Sequence, residues 1–376
     1  MKEKGIPSPC FVLDENRLEK NLQLLKRVQD EAGVDIILAF KGFAMWSAFS
    51  LVRKYLKGAT ASSLNEAKLC IEEMKCKAHT YSVAYAEDEI DGILQSSSHI
   101  TFNSLNQFER YKDRALNQNV SCGIRVNPEF SDVDTDLYNP SAPDSRLGMT
   151  KGHFGSGLPE GMHGLHFHVL CESDSYSLEG VLDALEAKFG NELKQAKWVN
   201  MGGGHAITRA GYDVDHLIDL LIKFKEKHKV DVILEPGSAV AWQTGDLHTT
   251  VLDIVENGGV KTVIIDGSFT CHMPDCLEMP YRPKIKQGYE DKEAGKFKYK
   301  LGGVSCLAGD YLDTYSFDNE LHITDQIVFE DMIHYTMVKT TTFNGVKHPS
   351  IGIIRSNGEF ELIREFGYKD YKDRLS

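Results

Sequence analysis

From residue 10 to about residue 240 the chain alternates short apolar runs with helix-period stretches, and this alternation restricts its possible folds more than any other feature. CFVLD is followed by ENRLEKNLQLLKRV, DIILAF by AMWSAFSLVRKYL, and GATASS by LNEAKLCIEEM. HTYSV, HITFN, SCGIRVNP, GLHFHVL, WVNMGGG and DVILEPG continue the series. Runs of strand length separated by helical patterns imply βα units and a parallel sheet, and roughly eight of them imply a (β/α)8 barrel. After residue 240 the texture changes to TVLDIVEN, KTVIIDGSF, ELHITDQIVFED and HPSIGIIRSNGEFELI, short β-rich runs with turn residues between them. The expectation is an α/β chain: a (β/α)8 barrel over residues 8–240, followed by a β-rich domain over 241–376 to which residues 1–7 can be joined.

The bulk numbers agree with two domains. A chain of 376 residues exceeds what one core usually supports, and an apolar content of 41% can fill two. A net charge of −13, without a long block of one sign, argues against nucleic acid and anionic membrane as partners and suits a cationic substrate. The apolar run before Asp14 is too short for a signal sequence or a membrane span, so a cytoplasmic location is expected. The eight cysteines (10, 70, 76, 122, 171, 271, 276 and 306) are scattered, which fits reduced thiols better than a disulfide framework.

Several strand ends carry chemistry, and in such a barrel the C-terminal strand ends face the active site. Lys41 follows DIILAF, His168 closes GLHFH, Gly202, Gly203 and Gly204 follow WVNM, and Glu235 precedes Pro236 and Gly237. A lysine after a strand is ordinarily a solvated loop residue. Held partly desolvated at a barrel mouth, however, its amine has a lowered pKa and can form a Schiff base with a carbonyl cofactor, of which pyridoxal phosphate is one. That cofactor needs backbone N–H donors for its phosphate, which three consecutive glycines allow to approach. It also needs an acid for its pyridine nitrogen, which Glu235 can supply, and a flat neighbour for its ring. His166 and His168 lie two apart on one strand, and His168 is nearer its end. The same pair could hold a catalytic metal, as in barrel hydrolases, but neither HExxH nor a zinc-ribbon cysteine pattern is present to complete such a site, and no metal is expected.

The order AFK, HFH, GGG, EPG resembles the alanine racemase-like barrel decarboxylases that use pyridoxal phosphate, the fold type III enzymes that include ornithine and diaminopimelate decarboxylases. In the β-rich part, GGVSCLAGD (302–310) resembles their cysteine segment, and HYTMVKTTTFNG (334–345) their tyrosine segment. GLHFHVLCE, SRLGM, SCLAGD and FNGVKHP look most like the carboxynorspermidine/carboxyspermidine decarboxylase group.

The resemblance implies that Lys41 is the Schiff-base lysine, His168 the residue stacked on the ring and Glu235 the pyridine-nitrogen partner. It implies phosphate contacts from Gly203, Gly204 and Tyr335, and a homodimer in which Cys306 crosses from the partner subunit to protonate the product carbon. Asp310 would face the amines of a polyamine-like substrate. Ser238 and Leu307 depart from the ornithine pattern, which has arginine after EPG and aspartate after the cysteine. With Ser238 where an acidic residue is common in the carboxynorspermidine group, Glu172, Asp174 and Asp275 become candidates for the substrate amines. Arg146 could reach a phosphate or the α-carboxylate. The expected activity is pyridoxal phosphate-dependent decarboxylation of carboxynorspermidine or carboxyspermidine in polyamine biosynthesis. Its rivals are a diaminopimelate or other basic amino-acid decarboxylase, a metal-dependent barrel hydrolase using His166 and His168, and a non-catalytic pyridoxal phosphate-binding regulator.

Overall fold

A computed structural model describes residues 5–132, 139–142 and 144–376. Tyr138 and Pro143, in the stretch YNPSAPDSRLGM, lie outside the described residues. The first strand, β1 (Cys10–Asp14), is considered with the second unit below. Lys20–Val240 form one compact unit. Its strands are β2 (Asp35–Ala39), β3 (Gly58–Ala61), β4 (Ala78–Tyr81), β5 (Ser97–Phe102), β6 (Ser121–Arg125), β7 (Met162–His166), β8 (Trp198–Asn200) and β9 (Asp231–Leu234). They close in sequence order, with β9 returning to β2 through Ile233 beside Asp35 and Leu234 beside Ile36. Each pairing is parallel, as expected when every strand is followed by a covering segment on the outside.

The barrel interior is filled rather than open. Trp198 packs with Ile37 and Ile233, and its Nε1–H donates to Ser121 Oγ at 2.9 Å. The indole has room because β6 and β7 carry Gly123 and Gly164 beside it; a Cβ on either would overlap the ring. Gly164→Ala is therefore expected to cost about 1–3 kcal/mol through overpacking. Urea unfolding should show a lowered midpoint at unchanged slope, and an unchanged midpoint would contradict this packing account.

His79 and His99 complete that layer, their rings stacked with centroids 4.0 Å apart and His99 edge-on to Trp198 at 5.4 Å. Burial holds His79 well below the ordinary 6.5 and His99 at about 4. Both depressed values mean that the unfolded chain binds protons more readily than the folded one. Their contribution is thus fully present above pH 6.5 and lost as pH falls below it. Urea midpoints should drop between about pH 7 and about pH 5, and a flat profile would oppose this reading.

The second compact unit combines the described residues up to Glu19 with Ala241–Ser376. Its strands are β1, β10 (Gly245–Asn257), β11 (Val260–Ile265), β12 (Gly288–Tyr289), β13 (Phe297–Gly302), β14 (Tyr311–Phe317), β15 (Gln326–Phe329), β16 (Ser350–Ile354) and β17 (Phe360–Arg364). The sheet runs β12-β14-β13-β11-β10-β1-β16-β17, with β15 also on β10. Only β1–β16 and β11–β13 are parallel.

This placement corrects the reading of CFVLD as a barrel run. The strand β1 lies between β10 and β16, and residues 8–19 fall with the sheet unit rather than with the barrel. A central strand of a covered sheet is apolar on both faces, as a barrel strand is, so Cys10–Leu13 carry no periodic mark of which sheet they join. Asp14 Oδ1 then accepts the Arg17 N–H at 3.0 Å and starts the helix Glu15–Ala32. Among the described residues no helix is long and apolar enough to cross a membrane.

Candidate active site

The hydrogen-bond ladder of β2 runs one step past the strand: Ala39 N–H donates to Pro236 O and Phe40 N–H to Thr60 O. Phe40 is buried and stacked on Phe49 at 4.9 Å. The chain then turns, with Gly42 and Phe43 N–H both returning to Ala39 O, so Lys41 is the first residue free to leave the barrel wall. Lys41 retains solvent-accessible surface, yet its amine sits in a ring of protein groups. Desolvation, reinforced by the Arg125 guanidinium, holds its pKa below the ordinary lysine value, against the opposing pull of Glu235 and Glu66.

A hydrogen-bond relay sets the protonation at this amine. Gly203 N–H donates to His168 Nδ1 at 2.9 Å, and His168 Nε2 lies 3.1 Å from Lys41 Nζ. With Nδ1 accepting, the neutral imidazole carries its proton on Nε2, and that N–H must donate to Lys41. Only an unprotonated amine can accept it. Burial keeps His168 well below its ordinary pKa, with the Lys41 and Arg125 charges adding to the effect, so the ring is held neutral. A lowered lysine pKa favours the unprotonated amine, the form that is nucleophilic.

The Gly202–Gly204 turn exists to make this approach. A Cβ on Gly203 would collide with Glu235 O, and one on Gly204 with Leu170 O. The Gly203 N–H is directed at His168 Nδ1, which fixes the tautomer.

Glu235 follows β9 and is buried. Asn200, at the end of β8, donates from Nδ2 to Glu235 Oε1 at 2.5 Å and accepts Gly202 N–H on Oδ1 at 2.9 Å, tying the carboxylate to the glycine turn. The other carboxylate oxygen, Oε2, is 3.8 Å from His166 Nε2. Burial pushes the carboxyl pKa up, opposed by Thr60, Asn200, Lys41 and Arg125. His166 is buried with neither ring nitrogen hydrogen-bonded, and burial holds it neutral. Arg125 donates from Nη2 to His168 O at 2.8 Å and lies 4.8 Å above the Tyr81 ring. Tyr81 O–H donates to Asn103 Oδ1, placing a phenol beside the same concavity.

In the sheet unit, Cys306 is exposed, and its N–H donates to Asn344 Oδ1 at 2.9 Å. Asp310 is buried and accepts from Ser268 Oγ at 2.9 Å, Ser305 N–H at 3.0 Å and Thr270 N–H at 3.0 Å. With these three donors it folds the 303–310 loop onto the Ser268 turn. Asp275 differs. Tyr281 O–H and Thr336 Oγ1 both donate to Oδ2 at 2.7 Å, while Oδ1 is buried without a partner. Tyr335 is half-buried and begins the short helix Tyr335–Val338.

Residues 10–333 match the model of the family described as pyridoxal-dependent decarboxylase, C-terminal sheet domain. The chain belongs to the pyridoxal-dependent decarboxylases. It is 50% identical over 372 residues to a carboxyaminopropylagmatine decarboxylase from Synechocystis sp., covering 99% of this chain and 96% of that one. A carboxynorspermidine/carboxyspermidine decarboxylase from Campylobacter jejuni is 45% identical, with 98% of each chain covered. The crystal structure of carboxynorspermidine decarboxylase from Campylobacter jejuni complexed with norspermidine superposes with a TM-score of 0.92 at 44% identity, covering 98% of this chain and 100% of that one.

The decarboxylase's barrel brings Lys41, His168, Glu235 and the glycine turn to one mouth, while other sequence candidates have different employment. Asp174 caps the helix Ser175–Leu193, accepting Ser177 N–H at 2.9 Å, and that bond holds its carboxyl below the usual range. Glu172 pairs with Arg209 at 3.9 Å on an exposed loop. A cap and an exposed ion pair are what the two carboxylates make in this structure. Ser238 opens the helical turn Ser238–Ala241 and is half-buried. The Arg146 carbonyl accepts from Asn103 Nδ2, and its charge reaches the Tyr81 phenol. Asn200, Arg125 and Tyr81 were not singled out from the sequence, although WVN, SCGIR and HTY end in them. The rule that selects Lys41, polar chemistry at a strand's C-terminal end, selects these three as well.

Proposed function

We propose that this decarboxylase removes carbon dioxide from carboxynorspermidine or carboxyspermidine, giving norspermidine or spermidine in polyamine biosynthesis, with pyridoxal 5'-phosphate as cofactor. The observation that carries the proposal is the relay Gly203–His168–Lys41, an amine of lowered pKa beside a buried carboxylate, in a chain alike over its full length to decarboxylases of carboxylated polyamines. The donor set fits the cofactor. Lys41 offers a nucleophilic amine to its aldehyde, His168 an imidazole that the glycine turn holds in place, and Glu235 a buried carboxylate for its pyridine nitrogen. Gly204, through its N–H, and Tyr335, through its hydroxyl, are assigned to its phosphate. When bound, pyridoxal phosphate supplies a protonated ring that accepts the electron pair left by the departing carboxylate.

The remaining work falls to the chain's own residues. The Glu235 carboxylate keeps the ring nitrogen protonated, and Asn200 fixes the direction of that carboxylate. Cys306 is assigned as the general acid that returns a proton to the substrate α-carbon. Asp275, with one buried oxygen unpartnered, is assigned to a protonated substrate amine, because a buried carboxylate oxygen gains most from a charged donor. Ser238 is assigned to the same amine chain. Cys306 acts from the partner subunit of a cytoplasmic homodimer with shared sites. Exposed Val304, Leu307 and Phe343, 39%, 45% and 45% accessible, support the assignment of this face to a partner.

A second reading, decarboxylation of carboxyaminopropylagmatine, is favoured by the 50% identical relative. A carbon dioxide release assay across carboxynorspermidine, carboxyspermidine, carboxyaminopropylagmatine, ornithine, lysine and diaminopimelate separates the readings. Turnover of the first two is expected, within about 10–200-fold of each other since one methylene is worth only about 1–3 kcal/mol. Activity confined to carboxyaminopropylagmatine selects the second reading, and activity confined to the three amino acids overturns both.

A further inference from the structure

The helix Leu64–Leu69 continues into a widened π-turn, Cys70–Met74, which ends at Lys75 in the left-handed conformation (φ 56°). The Cys70 carbonyl accepts the N–H groups of both Lys75 and Cys76, the latter at 3.3 Å. Such a closure folds the chain back so that the residue after the left-handed position lies over the last helical turn. Here both of those residues are cysteines. Cys70 Sγ lies 3.8 Å from Ala59 O, and Cys76 Sγ is 3.9 Å from where a Cβ on Gly58 would stand, so the two sulfurs converge on consecutive residues of β3. The Cys70 thiol donates to Ala59 O, and Cys76 stands beside it over the neighbouring Gly58. Cys70 is buried and Cys76 half-exposed, so solvent meets one thiol and the second waits behind it. Neither has a part in the decarboxylation.

We propose that Cys70 and Cys76 are a peroxide-oxidisable dithiol, in which Cys76 reacts first and Cys70 then closes a disulfide across the turn. The Cys76 thiolate attacks one peroxide oxygen; the O–O bond breaks and the leaving hydroxide takes up a proton to become water. The product is a sulfenic acid on Cys76. The Cys70 sulfur then attacks the Cys76 sulfur, the S–O bond breaks, and the oxygen leaves as water with the Cys70 proton. Two thiols and one hydrogen peroxide give one disulfide and two waters.

Selectivity follows from the surroundings. The neighbouring Cys70 thiol, aided by the Ala59 backbone and the Arg53 charge, lowers the Cys76 thiol, whereas burial pushes Cys10, Cys122 and Cys276 up to about 12. Exposed Cys171 and Cys306 serve as internal comparisons.

The test is a peptide map of the full-length enzyme after hydrogen peroxide and alkylation, without reductant. A cross-linked Cys70–Cys76 peptide that dithiothreitol separates is expected. In Cys70→Ala, Cys76 should stop at the sulfenic acid, captured by dimedone, with no cross-linked peptide formed. A Cys76 that stays reduced while Cys171 and Cys306 oxidise, or that oxidises in the wild-type enzyme without joining Cys70, overturns the proposal. The wild-type map decides the matter even if the variant does not fold.

Discussion

Lys41→Ala is expected to lower kcat by a factor on the order of 10³ or more, because the variant loses the amine that we propose engages the cofactor aldehyde covalently. The size of the effect rests on the state of the amine as much as on its presence. A protonated lysine is no nucleophile, and here the state is set by a chain of donors: Gly203 N–H to His168 Nδ1, then His168 Nε2–H to Lys41 Nζ. Desolvation and Arg125 press in the same direction. Lys41 lies on a turn outside the barrel wall, so truncation should leave the circular dichroism spectrum and the urea midpoint little changed. Carbon dioxide release from carboxynorspermidine measures the loss. A variant within tenfold of wild type would remove Lys41 from the chemistry.

Glu235→Gln is the second large expectation, a fall in kcat of about 10²–10³ with a small change in KM. Glutamine keeps the volume and can still accept from Asn200, so the change is confined to charge. In the site we propose, the ring nitrogen would then lose the partner that keeps it protonated, and the electron pair left by decarboxylation would have a poorer place to go. The effect therefore belongs to the transition state rather than to substrate binding. A variant with raised KM and unchanged kcat would mean that Glu235 merely shapes the pocket.

Much of this arrangement was legible in the sequence because barrel geometry turns position into proximity. DIILAFK, HFH, GGG and EPG lie far apart in the chain, yet each ends a strand, and strand ends in a closed parallel barrel meet at one mouth. What was not legible depends on which way a side chain turns. Asp310 and Asp275 look equally apt as acidic partners for an amine, but loop closure gives one three donors and leaves an oxygen of the other bare. Asp174 stands before SYSLEG, where an aspartate is an N-cap, and that local signal competes with the functional one. Gly203 permits a phosphate to approach, but its N–H has an intramolecular acceptor that only the fold supplies. The strand CFVLD shows a further limit of pattern: a central strand is apolar on both faces in either sheet, and only the pairing partners distinguish them.

The covalent role of Lys41 is tested most directly by mass spectrometry of the enzyme supplied with pyridoxal phosphate and reduced with borohydride. The account predicts that the reduced cofactor is carried on the peptide containing Lys41 and on no other lysine. Cofactor carried on a different lysine, or a protein that carries none after reduction, would contradict it.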